Sequence, residues 1–168
     1  KSVEQYDIEC IEQPIPRGDP SELAELRASS PIPIMADESI VTIQDAQRLI
    51  DRNAVDYFNL RISKCGGLYK TIAIYDLARS AGIGIQLGCQ VGETAILSAA
   101  GRHLAAYLQD LRYVEGSYST HLLLQDISRE DVVFGYGGRA AVLAGVGLGI
   151  TVREELLDKY AEEKISVC

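Results

Sequence analysis

The apolar and polar positions of the first 117 residues repeat one unit, a short β-rich run, a loop and a helical stretch, about every 25 residues. The strand-like runs are DIECI (7–11), PIPIMA (31–36), DYFNLR (56–61), IGIQLG (83–88) and RYVEG (112–116). Each is apolar and rich in Ile, Val or Tyr, as a parallel strand covered on both faces should be. Four helical segments lie between them. The first opens with Asp19 as N-cap and Pro20 at the first helical position. The second follows Thr42, with Asp45 three residues on as a loose capping box, and sets Ile43, Ala46, Leu49 and Ile50 on one face. The third (LYKTIAIYDLARSAG) and fourth (GETAILSAAGRHLAAYL) carry similar apolar stripes, and Gly82 closes the third.

Strands alternating with single helices predict an α/β fold with a parallel sheet of right-handed β-α-β units. Two architectures fit, an open doubly wound sheet or part of a (β/α) barrel. Polar residues stand at or near the carboxyl end of every strand: Glu12, Asp37, Arg61, Gln90 and Glu115. In a barrel these ends form one ring, whereas an open sheet gathers its site at a single topological switch. A full barrel needs eight strands and about 250 residues, so the five strands here predict a partial barrel over residues 1–117. From 118 to 168 the period breaks into glycine-rich turns and a polar helix from Glu154 to Lys164, a tail expected to pack on something else. The run GVGLG (145–149) lacks the G-x-G-x-x-G spacing and is followed by Ile150, Thr151 and Val152 before any helix, which argues against dinucleotide binding.

Composition narrows the partners. Of 168 residues, 47% are apolar and 24% charged, enough for a real core. A formal charge of −8 argues against nucleic acid or an anionic membrane, since either needs a basic patch. There is no window of eighteen apolar residues and the first residues, KSVEQYDIE, are mostly polar, so neither a membrane span nor a signal peptide is expected, and the location expected is the cytoplasm. Cys10, Cys65, Cys89 and Cys168 form no C-x-x-C pair and predict buried, reduced thiols.

Glu12 in "IEQP" and Asp37 in "ADES" each follow an apolar strand, so adjacent barrel strands bring both carboxylates to one mouth. Paired hard oxygen ligands suit Mg²⁺. The plainer alternative is that each carboxylate caps a helix or pairs with a lysine.

The stretches CIEQP, IPIMADES, FNLRISKCGGL, GCQVGETAILSAAGRHLAA and AGVGLGITVREELLDKY, in this order and spacing, resemble the carboxyl-terminal part of the enolase superfamily, most of all its muconate-lactonizing subgroup. The resemblance implies a modified (β/α)₇β barrel, of which this chain holds strands four to eight, with a capping domain and three strands lying outside it. It implies Mg²⁺ held by Glu12, Asp37 and an aspartate outside this sequence, and abstraction of a proton α to a carboxylate through an enediolate. A lysine pair on an earlier strand would supply one base. The second basic position falls on Arg61, where the family has lysine, and Lys64 matches the basic residue that follows it.

Side chains three apart on a strand point to opposite faces, so Lys64 is not expected to stand in for Arg61. Arginine keeps its proton and suits a fixed cation or a bidentate carboxylate clamp better than a base; the alternative is a structural pair with Asp37 or Glu38. Glu93 matches an acidic position of the family, with a helix N-terminal charge as its alternative. Gln90 and Glu115 are expected to touch substrate or hold Lys64. His103 and His121 read as structural. The expectation is a lyase or isomerase acting on a small carboxylate, a homo-oligomer at full length and inactive as the isolated 168 residues. The alternatives are a non-catalytic relative that keeps the fold, and a flavodoxin-like binding module, for which "EQPIPRGDP" is a poor phosphate loop.

Overall fold

Proline decides where the sheet begins. Pro31 and Pro33 have no N–H to give to a ladder, so strand β1 is only Ile11–Glu12 and its partner β2 only Ile34–Ala36. The strand expected at 7–11 is therefore displaced, with the Ile11 N–H donating to the Pro33 carbonyl at 2.9 Å. The computed structural model, which describes residues 3, 5–117 and 119–165, completes the sheet with β3 (Tyr57–Leu60), β4 (Gly84–Leu87) and β5 (Leu111–Val114). Every pairing is parallel and the order is β1-β2-β3-β4-β5. A doubly wound sheet reverses its strand order at a switch point. This sheet never does, which is the arrangement of a barrel wall.

The sheet is strongly curved. Tyr113 of β5 donates its hydroxyl to Glu9 Oε2, just before β1, at 2.6 Å. Laid flat, β1 and β5 would stand about 19 Å apart, further than these two side chains span. The concave face carries levels of side chains set by the register: Glu12, Met35, Tyr57 and Gly84 on one, and Asn59 with Gln86 on the next. Gly84 is required there, because a Cβ would stand 2.3 Å from the Tyr57 ring. The period of two then turns Phe58, Leu60, Ile85 and Leu87, all buried, to the convex face under the helices.

Those helices are α1 (Pro20–Ser29), α2 (Ile43–Asp51), α3 (Ile62–Cys65) and α4 (Leu68–Ser80). Their starts follow local chemistry: Asp19 accepts from the Ser21 N–H at 2.9 Å, and Thr42 and Asp45 close a reciprocal capping box. Gly82 takes φ 74° after α4. The buried face of α2 is Ala46 and Leu49; Ile43, expected on it, is exposed in the first turn. The four-residue α3 has no counterpart in the sequence reading.

The strands and α1–α4 belong to one compact unit, 1–90 with 108–115; a second unit comprises 91–107 with 116–168. The second unit holds α5 (Ala95–Tyr107), α6 (Ser119–Leu122), a 3₁₀ turn at Tyr136–Gly138, an antiparallel bridge between Ser128 and Val152, and α7 (Glu154–Tyr160). Arg102 of α5 donates to the Val132 carbonyl and lies 5.6 Å over the Phe134 ring, tying an otherwise irregular segment to the helix. The glycine run at 145–149 forms turns, and no helix starts before Glu154. The terminal helix ends at Tyr160, short of the expected Lys164, whose ammonium instead pairs with Asp158. Cys65 is buried as expected, Cys10 and Cys89 only partly, and Cys168 lies outside the described residues. Among the described residues no helix is long and apolar enough to cross a membrane.

Phe58, fully buried at the middle of the sheet, gives a direct test of the convex core. Phe58→Ala is expected to destabilise the protein by about 3–5 kcal/mol in urea unfolding. Tyr69→Ala, at a side chain 92% exposed, is expected to change stability by less than about 0.5 kcal/mol.

Candidate active site

β2 ends at Ala36 and delivers Asp37, 3% exposed, to the carboxyl end of the sheet. Its backbone N–H donates to Gln13 Oε1 at 2.8 Å. Gln13, in the left-handed region at φ 38°, also accepts from the Ser39 N–H at 3.1 Å and donates to Ser39 Oγ at 2.9 Å. One side chain from the loop after β1 therefore shapes the loop after β2.

The Asp37 carboxylate is bracketed by two cations. Lys64 Nζ lies 2.6 Å from Oδ1, and the Arg61 guanidinium pairs with Oδ2 while reaching Glu38 at 3.4 Å. This corrects the expectation that residues 61 and 64 diverge. The chain leaves the strand at Arg61, which is the N-cap of α3, and the turn brings Lys64 back toward Asp37. Gly66, left-handed at φ 82°, closes that turn. Lys64 Nζ also donates to the carbonyls of Asp37 at 2.7 Å and Asn59 at 2.8 Å. Its three N–H donors match three acceptors. Asp37 and Asn59 hold Lys64, in place of the Gln90 or Glu115 expected. Burial pushes the Lys64 ammonium down to about 8, and the neighbouring Arg61 charge acts in the same direction.

Glu12 is reached from β3. Asn59, 1% exposed, donates from Nδ2 to Glu12 Oε1 at 2.6 Å. Glu115, just after β5, has its carboxyl raised by partial burial first and by the Glu12 charge second, against the pull of Arg61. Gln90 is exposed and accepts from Ser63 Oγ at 3.2 Å. Glu93 belongs to the second unit, where Ser98 Oγ donates to it at 2.7 Å. It precedes α5 by two residues, and the first N–H of that helix goes to Asp126 at 2.9 Å, so Glu93 does not open the helix as expected. His103 Nε2 lies 3.0 Å from the Leu148 carbonyl, and His121 is exposed on α6.

The structure thus gathers Glu12, Asp37, Arg61 and Lys64 around Asn59. Asn59 and Gln13 were absent from the sequence reading, although both carried a signal. Gln13 directly follows Glu12, and Asn59 stands two positions before Arg61, on the same face of the strand. The fit to Mg²⁺ turns on donor chemistry. Two carboxylates, Glu12 and Asp37, are linked through Asn59 and Lys64, and Asn59 Oδ1, turned toward Gly88, is buried without a donor among the described residues. These are hard oxygen donors only, which is what Mg²⁺ takes. Among the described residues no group of three His, Cys, Asp or Glu stands together that could hold a metal ion.

The family and the fold have counterparts among known proteins. Residues 1–156 match the family described as enolase C-terminal domain-like. Muconate cycloisomerase 1 of Rhodococcus opacus is 34% identical over 153 residues, covering 91% of this chain and 40% of that protein. The D-Ala-D/L-Ala epimerase of Cytophaga hutchinsonii is 33% identical over 166 residues, covering 98% and 44%. Among solved structures, the dipeptide epimerase of Cytophaga hutchinsonii complexed with Mg and the dipeptide D-Ala-L-Val superposes with a TM-score of 0.85 at 31% identity, over 94% of this chain and 42% of that one. The N-succinyl Arg/Lys racemase of Bacillus cereus gives 0.82 at 27% identity, over 96% and 42%. The chain spans 44% or less of the length of these relatives.

Removing Asp37 leaves two largely buried cations facing each other. Asp37→Ala is expected to destabilise the metal-free protein by about 3–5 kcal/mol. Glu38→Ala, at a carboxylate 59% exposed, is expected to cost under about 1 kcal/mol. Urea midpoints of the two variants, measured in chelator, check the contrast.

Proposed function

The chain belongs to the enolase C-terminal domain-like family, and we propose that at native length it forms the carboxyl-terminal wall of a Mg²⁺-dependent lyase or isomerase that removes a proton α to a carboxylate. The observation that carries this reading is the convergence of Glu12, Asp37 and Arg61 at one end of a curved parallel sheet. Mg²⁺, held by Glu12 and Asp37 with a further ligand from outside this sequence, would supply the charge that offsets an enediolate.

Arg61 binds and orients rather than abstracts. Its guanidinium stays protonated at any ordinary pH. Part of its fork is spent on Asp37 and Glu38, and Nε is buried without an acceptor among the described residues, a donor that a substrate carboxylate reaching into the site would satisfy. Lys64 positions Asp37. Glu115 and Gln90 line the approach and touch substrate. Muconate and dipeptides, the compounds in the relatives' names, both carry carboxylates. With arginine at position 61 the chemistry is one-base, a cycloisomerisation or β-elimination, rather than a two-base epimerisation. The protein works in the cytoplasm as a homo-oligomer on a small carboxylate.

A second reading, a relative that keeps the fold without turnover, is favoured by one observation: both oxygens of Asp37 are already engaged by cations. Solvent exchange separates the two. The native-length protein is incubated in D₂O with Mg²⁺ and panels of dipeptides, N-acyl amino acids, acid sugars and lactones, and loss of the α-proton signal is followed by NMR. The active reading expects exchange at one antipode only, abolished by chelator, lowered about 100-fold by Asp37→Ala, and absent from the isolated 168 residues. Exchange at both antipodes removes the one-base assignment. No exchange across the panels despite bound Mg²⁺ establishes the non-catalytic reading.

A further inference from the structure

Asn59 is the least exposed polar side chain at this end of the sheet, and its atoms divide in an unusual way. Nδ2 donates to Glu12 Oε1 at 2.6 Å, and the backbone carbonyl accepts from Lys64 Nζ at 2.8 Å. The same Lys64 Nζ holds Asp37 Oδ1 at 2.6 Å. Glu12 is therefore tied to Asn59 through the side chain, and Asp37 through the main chain by way of Lys64. One residue thus links the two carboxylates, alongside the Gln13 contacts to the loop that carries Asp37. A carboxylate only accepts, so the amide nitrogen has to face Glu12 and the oxygen has to face away. That oxygen is buried and has no donor among the described residues. A buried acceptor left without a donor is unfavourable, so the amide keeps this orientation through its Nδ2 bond to Glu12.

The neighbouring strand keeps space for this arrangement. A Cβ at Gly88, just beyond β4, would stand 2.0 Å from Asn59 Oδ1 and 3.0 Å from Nδ2. Any larger residue at 88 has to push the amide off Glu12. Gly88 is thus matched to Asn59 as Gly84 is matched to Tyr57 on the level below.

From these contacts we infer that Asn59 is a positioning residue for a divalent cation, fixing the Glu12 carboxylate by its Nδ2, with Gly88 holding the space that the amide needs. The inference rests on the metal reading given above and extends it to two residues which that reading does not use. Neither residue touches the reacting atoms. The effect expected is on ion affinity, with the fold retained.

Mn²⁺ is the probe, its free concentration read by electron paramagnetic resonance in titrations of the native-length protein. Asn59→Ala is expected to weaken Mn²⁺ binding about 10–100-fold. Gly88→Ala, which displaces the amide without removing it, is expected to weaken binding in the same range. The double variant is expected to bind no more weakly than Asn59→Ala alone, because with the amide gone the added methyl has nothing to displace. Cooperative thermal unfolding in chelator checks that each variant is folded, and Gly88→Ala provides an independent route should Asn59→Ala fail that check. Wild-type affinity in the folded single variants, with Glu12→Gln weakened, overturns the role of Asn59 and leaves the metal reading standing. An absence of Mn²⁺ binding in the wild type, or wild-type affinity in Glu12→Gln, overturns both.

Discussion

One carboxylate facing two cations in a nearly dry setting is the interaction on which this end of the molecule depends. Asp37 is 3% exposed, and the side chains of Arg61 and Lys64 are 16% and 11% exposed. A lone charge in such a place is strongly disfavoured, and a buried pair holds only when its remaining donors and acceptors are satisfied. Lys64 meets that condition by directing all three donors at oxygens. To do so it has to come back from beyond the strand, which is why β3 breaks at Leu60 into the single turn of α3 and why Gly66 follows. The local backbone is shaped to serve an electrostatic requirement.

Curvature supplies the second requirement. Glu12 and Asn59 belong to strands separated by β2, yet their side chains meet at 2.6 Å. A flat sheet would place strands two apart at about 9.6 Å, and bending shortens that gap on the concave face. Small residues on that face make the bend possible. Gly84 and Gly88 leave the room that Tyr57 and Asn59 take up. Glycines that shape the sheet in this way also leave Asn59 the room in which it meets Glu12.

What was legible in the sequence follows the range of the interactions. Helix starts at Asp19 and Thr42 were readable because a cap acts over two or three residues. The parallel strands and the ring of polar strand ends were readable because the apolar period is regular. The extent of β1 was hidden because it depends on Pro31 and Pro33 in the partner strand, not on its own residues. The convergence of Arg61 and Lys64 was missed because four residues are too few to show a helical period, and an unbroken strand gives the opposite geometry. Asn59 escaped notice because its partner lies 47 positions away, and only the curved sheet puts the two together.

The balance of charge bears on what such a site admits. Glu12, Asp37 and Glu115 set three carboxylates against the two cations Arg61 and Lys64, leaving the cluster negative even with the exposed Glu38 uncounted. The raised carboxyl of Glu115 is one expression of that excess. A negative cluster of hard oxygens draws a divalent cation and repels a carboxylate. On the proposed function a bound divalent cation would reverse the sign, and the same cluster would then draw a carboxylate. Arg61 fits this order of events better than lysine would. A lysine at 61 would give its single compact charge to Asp37, duplicating Lys64, whereas the planar fork of arginine can pair with Asp37 and still keep Nε for another oxygen. The arginine at the end of the third strand is therefore one residue that pairs with two carboxylates, Asp37 and Glu38, while one of its donors stays unpaired among the described residues.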